Sequence, residues 1–188
     1  MEPLILSAAT IENFIAPRKS TSRKGENGIV LVVGGSYIYH GAPVLSSLAA
    51  LRSGTDLVYT CVPKINVTST RSISPNLIVI PLVDQKLTLG AVKKLVGALP
   101  RNLHSATIGM GLAIQDKNSL LYLVKSLLDR DVRLSLDASA LIPEVLPILA
   151  NKNVVVTPHA GEFKRLFGEI LSDSTSERIN LVEQNALK

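Results

Sequence analysis

Six short apolar runs, rich in β-branched residues, recur along the chain from residue 29 onward: Ile29–Val33, Leu57–Val62, Leu77–Ile80, Ala106–Gly109, Val132–Leu136 and Val154–Thr157. Each has the length of a strand. The runs read as continuous rather than alternating in polarity, which predicts strands covered on both faces. Between them helical spacing takes over. Val44, Leu45, Leu48 and Leu51 follow Pro43 at helical intervals until Gly54 stops the segment. Thr88 can cap a helix running toward Gly97, with Pro100 just beyond, and Asp116 can cap another whose apolar face is Leu120, Leu121, Val124, Leu127 and Leu128. Across 141–150, Pro143 and Pro147 allow only short or distorted helix. Ser174-x-x-Glu177 has the form of a capping box ahead of Ile179, Val182 and Ala186. The alternation predicts an α/β fold of three layers, a mostly parallel central sheet flanked by helices and built by right-handed crossovers. No repeat, low-complexity tract or linker interrupts it, so residues 1–188 read as a single domain.

Composition narrows the function classes. Apolar residues make up 46% of the 188 and charged residues 19%, which excludes disorder as the general state. The 20 basic and 15 acidic residues leave a charge of +5, compatible with an anionic small molecule or with solubility alone. Part of the excess lies in Arg18, Lys19, Arg23 and Lys24, interleaved with Ser and Thr and read as a solvated arm. The absence of Trp, the scarcity of other aromatics and the lack of an RNA-binding signature count against nucleic acid. Cys61 is the sole cysteine and sits in an apolar run, so no disulfide framework or Cys-rich metal site can form and a buried thiol is expected. No apolar run approaches the ~20 residues that cross a bilayer. The stretch 1–6 lacks a leader pattern. The expectation is a cytoplasmic protein without a membrane partner.

Ligands of open parallel sheets bind at the carboxyl ends of the strands. Four strand ends carry useful chemistry: Gly34-Gly35-Ser36, Gly109-Met110-Gly111, Asp137, and Thr157-Pro158-His159-Ala160-Gly161-Glu162. Glycines there let backbone approach a ligand or simply make a tight turn, and Ser36 adds a hydroxyl. Gly41-Ala42-Pro43 opens a helix whose free N–H groups can hold an anion. Asp137 can orient a hydroxyl or a hydrated cation, or cap its own turn at Ser139. His159 and Glu162, three apart at a strand-to-helix junction, can share a crevice, with Glu162 holding hydrated Mg²⁺ near phosphates and His159 bonding substrate. The plainer reading is a glutamate favouring the helix dipole beside an exposed histidine. His40 and His104 fall in loops without a partner at motif spacing.

Together these residues resemble the ADP/ATP-dependent NAD(P)H-hydrate dehydratases. Lys24-Gly25-x-x-Gly28, Val32-Val33-Gly34-Gly35-Ser36, Gly41-Ala42-Pro43 and Ala50-Leu51-Arg52-Ser53-Gly54 resemble the family's opening. Gly109-Met110-Gly111-Leu112 resembles its G-x-G-L-G turn, with Ala113 departing at the last position. Leu136-Asp137-Ala138-Ser139-Ala140-Leu141 resembles D-A-D-A-L, with Ser139 for the second aspartate, and residues 157–163 resemble T-P-H-x-G-E-F. The match runs in order over almost the whole chain.

The resemblance implies a ribokinase-like fold and repair of NADHX or NADPHX, the hydrates of NADH and NADPH. ADP or ATP with Mg²⁺ would phosphorylate the ring hydroxyl, and loss of phosphate would restore the reduced nicotinamide. It sets Ala42, one of Gly109 and Gly111, and His159 against the hydrate. With the strand-end reading, the expected substrate-binding set is Gly35, Ser36, Ala42, Gly109, Gly111, Asp137 and His159. Glu162 resembles the glutamate of the ribokinase N-x-x-E motif near Mg²⁺, through water, with His159 standing where ribokinases carry asparagine, and Lys24 joins it in the phosphate-associated set.

The family pattern continues past the position of Lys188 into an L-K-G turn and a G-T-G-D motif that supplies an anion hole, an aspartate base and most adenine contacts. The expectation is therefore the N-terminal two thirds of the family domain, truncated at its C-terminal side, with the catalytic residue outside it. A small-molecule kinase of the same fold, acting on a vitamin precursor or sugar, and a catalytically impaired nucleotide-binding remnant are the competing readings. Exposed edge strands would favour a homo-oligomer.

Overall fold

The chain alternates strand and helix as its apolar pattern predicts. The computed structural model describes residues 6–15 and 17–187; the opening stretch read for a leader falls mostly in residues 1–5, outside the described residues. In order the elements are α1 (Ala8–Phe14), β1 (Ile29–Val33), α2 (Gly41–Arg52), β2 (Leu57–Pro63), α3 (Val67–Ile73), β3 (Leu77–Leu82), α4 (Leu89–Ala98), β4 (Ser105–Ile108), α5 (Lys117–Leu128), β5 (Arg133–Leu136), α6 (Leu146–Leu149), β6 (Val154–Val156), α7 (Ala160–Phe167) and α8 (Thr175–Ala186). The six strands form one all-parallel sheet in the order β3-β2-β1-β4-β5-β6. The chain builds outward from β1 to β3, then returns to β1's other side and builds outward again. The reversal between β1 and β4 is a topological switch point, where parallel sheets open a crevice at their carboxyl ends.

Strand periodicity sorts the core into two layers. Ile29, Leu31 and Val33 of β1 point to one face, where they join Val92 and Leu95 of α4 and Leu120, Leu123, Val124 and Leu127 of α5. Val32 points to the other face, with Val58, Val62, Val67 and Val79. The second layer is narrower than the continuous-run reading implies. On that face β4, β5 and β6 present Thr107, Ser135 and Val155, of which Val155 is 59% exposed. Ser105-Ala106-Thr107-Ile108 and Arg133-Leu134-Ser135-Leu136 in fact alternate, and only Ala106, Ile108, Leu134 and Leu136 are buried. Among the described residues, helices cover both faces of β1 to β3 but one face of β4 to β6. Pro81 extends β3 beyond its expected end because β3 is an edge strand, where a missing N–H leaves no ladder bond unmade.

Helix ends follow local chemistry with one correction, at Ser174. Thr88 accepts the Ala91 N–H and Asp116 accepts the Ser119 N–H, as expected of caps. The 138–149 region breaks into two 3₁₀ turns and the four-residue α6, as its prolines require. The capping box expected at Ser174 does not form, because the Ser174 hydroxyl pairs with that of Ser176. In α2, Leu45 is exposed and the buried positions are Pro43, Val44 and Ser47. Ser47 donates to the Pro43 carbonyl and accepts from the Thr60 hydroxyl, so a small polar residue meets the sheet alongside Val44 and Leu51. α3 had no helical signal in a sequence rich in Thr and Ser; burial of Val67 and Thr70 overrides that weak propensity.

The arm before β1 is solvated at Arg18, Lys19, Arg23 and Lys24, all exposed, and is also pinned at its base. Asp56 accepts N–H bonds from Gly25 and Asn27, at 2.9 and 3.0 Å, and pairs with Arg18. The Asn27 N–H is the strongest influence holding the Asp56 carboxyl below its usual range; desolvation opposes it, and the Asn27 amide, the Gly25 N–H and Arg18 add to it. A carboxyl depressed on folding adds stability that is complete above the ordinary carboxylate range and lost as pH falls through its folded value. Thermal melts from about pH 7 to about pH 3 should therefore show Asp56→Asn losing less stability on acidification than the parent chain. Equal acid sensitivity of the two would remove Asp56 as the anchor of the arm.

Candidate active site

Four turns meet along the carboxyl rim, joined by backbone. The Gly34 N–H donates to Cys61 O, the Gly35 N–H to Met110 O at 2.9 Å, and the Gly109 N–H to Val33 O at 3.0 Å. The Asp137 N–H reaches Ile108 O, and the Thr157 N–H reaches Leu136 O. The Thr157 hydroxyl then donates to Asp137 Oδ1 at 2.9 Å. The turns after β1, β4, β5 and β6 are thus stitched side by side.

Glycine is what allows this closeness. Gly109 has φ +122°, and a Cβ there would lie 1.9 Å from Asp137 O. A Cβ on Gly34 would lie 2.7 Å from Met110 O. These contacts are to backbone, which cannot step aside.

Above the stitched turns lies an open hollow of about 590 Å³, lined by Ile38, Tyr39, His40, Gly41, Ala42, Gly111, Ala138 and Ser139. Of the expected substrate set, Ala42 and Gly111 line it directly. Gly35, Gly109 and Ser36 do not; they lie in the turns that support it. Ser36 is 7% exposed, accepts the Tyr39 N–H on its hydroxyl at 3.1 Å, and has its carbonyl held by Asn66. Asp137 does not line the hollow and spends one oxygen on Thr157.

Lys24 is corrected. Gly25 packs against Ile29 and Asn102, and strands β1 and β4 begin there. In an all-parallel sheet that is the amino rim, a strand length away from the hollow, so Lys24 leaves the phosphate-associated set. His104, at the same rim, accepts the Ile29 N–H on Nδ1 and is structural. The reverse holds for His40, given little weight in the sequence, which lines the hollow. Tyr39 and Ile38 carried no motif signal beyond falling between Gly35 and Pro43.

The two helix N-termini at this rim differ. At α7, His159 Nδ1 accepts the Gly161 and Glu162 N–H groups while Glu162 Oε2 accepts the His159 N–H at 3.0 Å, a full capping box. With Nδ1 accepting, a neutral ring carries its proton on Nε2, which lies 3.4 Å from Glu162 Oε1. The imidazole is 74% exposed and the Glu162 side chain 12%. Glu162 is therefore committed to the cap. Among the described residues no group of three or more His, Cys, Asp or Glu could hold a metal ion, so they do not fit a direct Mg²⁺ site. At α2 no side chain caps the helix, and Gly41 and Ala42 line the hollow. First-turn N–H groups and the positive end of a twelve-residue helix face whatever occupies it.

The family model described as NAD(P)H-hydrate dehydratase matches residues 30–188. The chain belongs to that family. It is 82% identical over 181 residues to the ADP-dependent (S)-NAD(P)H-hydrate dehydratase of Nitrosopumilus maritimus, covering 96% of this chain and 63% of that protein. Against the enzyme of the same name from Cenarchaeum symbiosum it is 61% identical, covering 94% and 61%. The solved structure of the ADP/ATP-dependent NAD(P)H-hydrate dehydratase of Bacillus subtilis, co-crystallised with ATP/Mg²⁺, superposes with a TM-score of 0.76 at 25% identity, over 96% of this chain and 61% of that one. A ribokinase-like superfamily protein of Enterococcus faecalis, at 24% identity and a TM-score of 0.72 over 100% of this chain and 66% of that one, shares the fold. The chain spans about three fifths of the length of these two relatives. No helix among the described residues is long and apolar enough to cross a membrane.

The rim makes a stability prediction. Gly109→Ala should cost about 2–4 kcal/mol in denaturant unfolding, through positive φ and the clash with Asp137 O. Gly97→Ala in α4, where nothing lies within 4 Å, should instead stabilise by about 0.5–1 kcal/mol. Similar effects at the two sites would contradict the packed-turn description.

Proposed function

We propose that this chain carries the hydrate-binding part of a repair lyase that returns (S)-NADHX or (S)-NADPHX to NADH or NADPH, consuming ADP or ATP. The observation that carries it is the uncapped N-terminus of α2 opening into a hollow at the β1/β4 switch point. Kinship with proteins named for this activity supports the substrate. In the reaction the hydroxyl left by hydration takes the terminal phosphoryl group of the nucleotide. The ring carbon–oxygen bond then breaks, a neighbouring ring proton is lost, and inorganic phosphate leaves as the reduced nicotinamide re-forms.

This chain's own groups bind and orient. The N–H groups of Gly41 and Ala42 suit an amide or phosphate oxygen of the substrate. Gly111, Ala138 and Ser139 keep one side of the hollow small enough to admit a ring. His159 presents its Nε2–H farther along the rim, where it can donate to substrate, and Asp137 offers a second carboxylate oxygen there. Glu162, held in the α7 cap, would reach a magnesium ion carried by the nucleotide phosphates only through water, where the ion would neutralise phosphate charge. We place the protein in the cytoplasm, consistent with its single unpaired Cys61, which is buried and has its thiol pKa pushed well up by desolvation. We place it as a homo-oligomer, supported by the edge strand β3, whose Ile78 is 36% exposed.

The full-length polypeptide with ADP or ATP and Mg²⁺ should restore the near-UV absorbance of NADH from its hydrate and release one phosphate per NADH. A stable phosphorylated alcohol without NADH would show a kinase instead. His159 separates by paired substitution: His159→Asn keeps a helix cap and should lower hydrate affinity at unchanged melting temperature. His159→Ala should also lose about 1 kcal/mol of stability. Unchanged hydrate affinity in the asparagine variant would take His159 out of the site.

A further inference from the structure

The loop between β1 and α2 holds one aromatic residue in an unusual state: its root is fixed and its ring is in water. The Ser36 N–H donates to Tyr39 O at 2.7 Å, and the Tyr39 N–H donates to Ser36 Oγ at 3.1 Å, so residues 36 to 39 close on themselves. Asn66 Nδ2 clamps the same loop from the far side, at 2.7 Å from Ser36 O. Two strand-end glycines then wedge Tyr39 in place. A Cβ on Gly111 would lie 2.8 Å from Tyr39 Cβ, and a Cβ on Gly35 would lie 3.1 Å from Tyr39 O; both glycines have positive φ. Yet Tyr39 remains 63% exposed and lines the hollow.

Leaving a large ring in water forgoes the burial that aromatic side chains ordinarily contribute. Holding its backbone and Cβ by four separate contacts removes most of the freedom it would lose on binding. Tyrosine has only two side-chain torsions, so its ring makes a low-entropy contact surface. Of the other lining positions, Gly41, Ala42, Gly111, Ala138 and Ser139 are small, and Ile38 and His40 are the larger ones.

We propose that Tyr39 is a specificity-determining residue whose ring face covers the carboxamide-bearing ring of the hydrated nicotinamide, the loop 36–39 and Gly111 acting to aim it. The assignment rests on the function proposed above and deepens it. The conjugated N–C=C–C=O portion of the hydrated ring is flat and stacks on an aromatic face. Tyr37, two residues earlier and 67% exposed, does not line this hollow. It serves as the internal control.

The test is calorimetric titration of NADH hydrate, and separately of ATP with Mg²⁺, into the full-length protein and its Tyr39→Ala, Tyr39→Phe and Tyr37→Ala variants. Tyr39→Ala should weaken hydrate binding about tenfold or more while ATP affinity changes by less than about twofold. Tyr39→Phe should recover most of that loss, because the ring face is retained, and Tyr37→Ala should match the parent. Melting temperatures should stay together, since the ring packs little in the free protein. If the parent binds hydrate and Tyr39→Ala binds it within about twofold, or if hydrate and ATP weaken equally, the assignment is overturned while the function stands. If the parent binds no hydrate, the function fails and the assignment fails with it.

Discussion

The structure depends on how closely backbone can approach backbone at the carboxyl rim. Gly109 stands where any side-chain carbon would enter the Asp137 carbonyl, and Gly34 stands where one would enter that of Met110. Because neither has a Cβ, the turns after β1, β4 and β5 sit shoulder to shoulder and exchange N–H bonds instead of splaying apart. A rim made of main chain is rigid and has a fixed pattern of donors. The hollow above it inherits both properties, and its occupant meets a surface that does not have to reorganise.

The rim also divides labour between its two helices. α7 satisfies its own first turn through His159 and Glu162, so its positive end is largely spoken for. α2 leaves its first turn uncapped by side chains and turned toward the hollow. Arg165 of α7 donates to the Ala138 and Leu141 carbonyls, at 3.0 Å each, so the capped helix braces the turn that forms one wall. The residues with the strongest motif character, His159 and Glu162, are therefore partly structural. The plain stretch Tyr39 to Ala42 has the more direct access to ligand.

Most of the fold was legible, and the misses share a cause. Strand cores were found to within a residue or two, because buried β-branched runs leave a strong local signature. What failed needed knowledge of neighbours. The alternation in β4 and β5 was hidden inside apolar runs until the sheet order showed which face had no helix over it. In α2, Val44 and Leu51 meet the core as read, but Leu45 is exposed and Ser47 was missed, because Ser47 is buried by hydrogen bonds to Pro43 and Thr60, contacts that no hydropathy pattern encodes. Lys24 was set in the phosphate-associated group, but it precedes β1 whereas the ligand-bearing turns follow their strands, and the two ends of β1 lie on opposite rims. At Ser174 the capping pattern was present and the bond was not, since the neighbouring Ser176 hydroxyl competed for it.

By itself the sequence determined which segments become strands, where chemistry collects relative to them, and which family the chain joins, since each is written in short-range pattern and residue type. Only the tertiary structure decided which strand ends adjoin, which helix N-terminus stays open, and which motif residues support the hollow rather than face it. Those outcomes come from contacts between positions far apart in the chain. A glycine at 109 acquires its meaning from a carbonyl at 137, and a tyrosine at 39 from a glycine at 111.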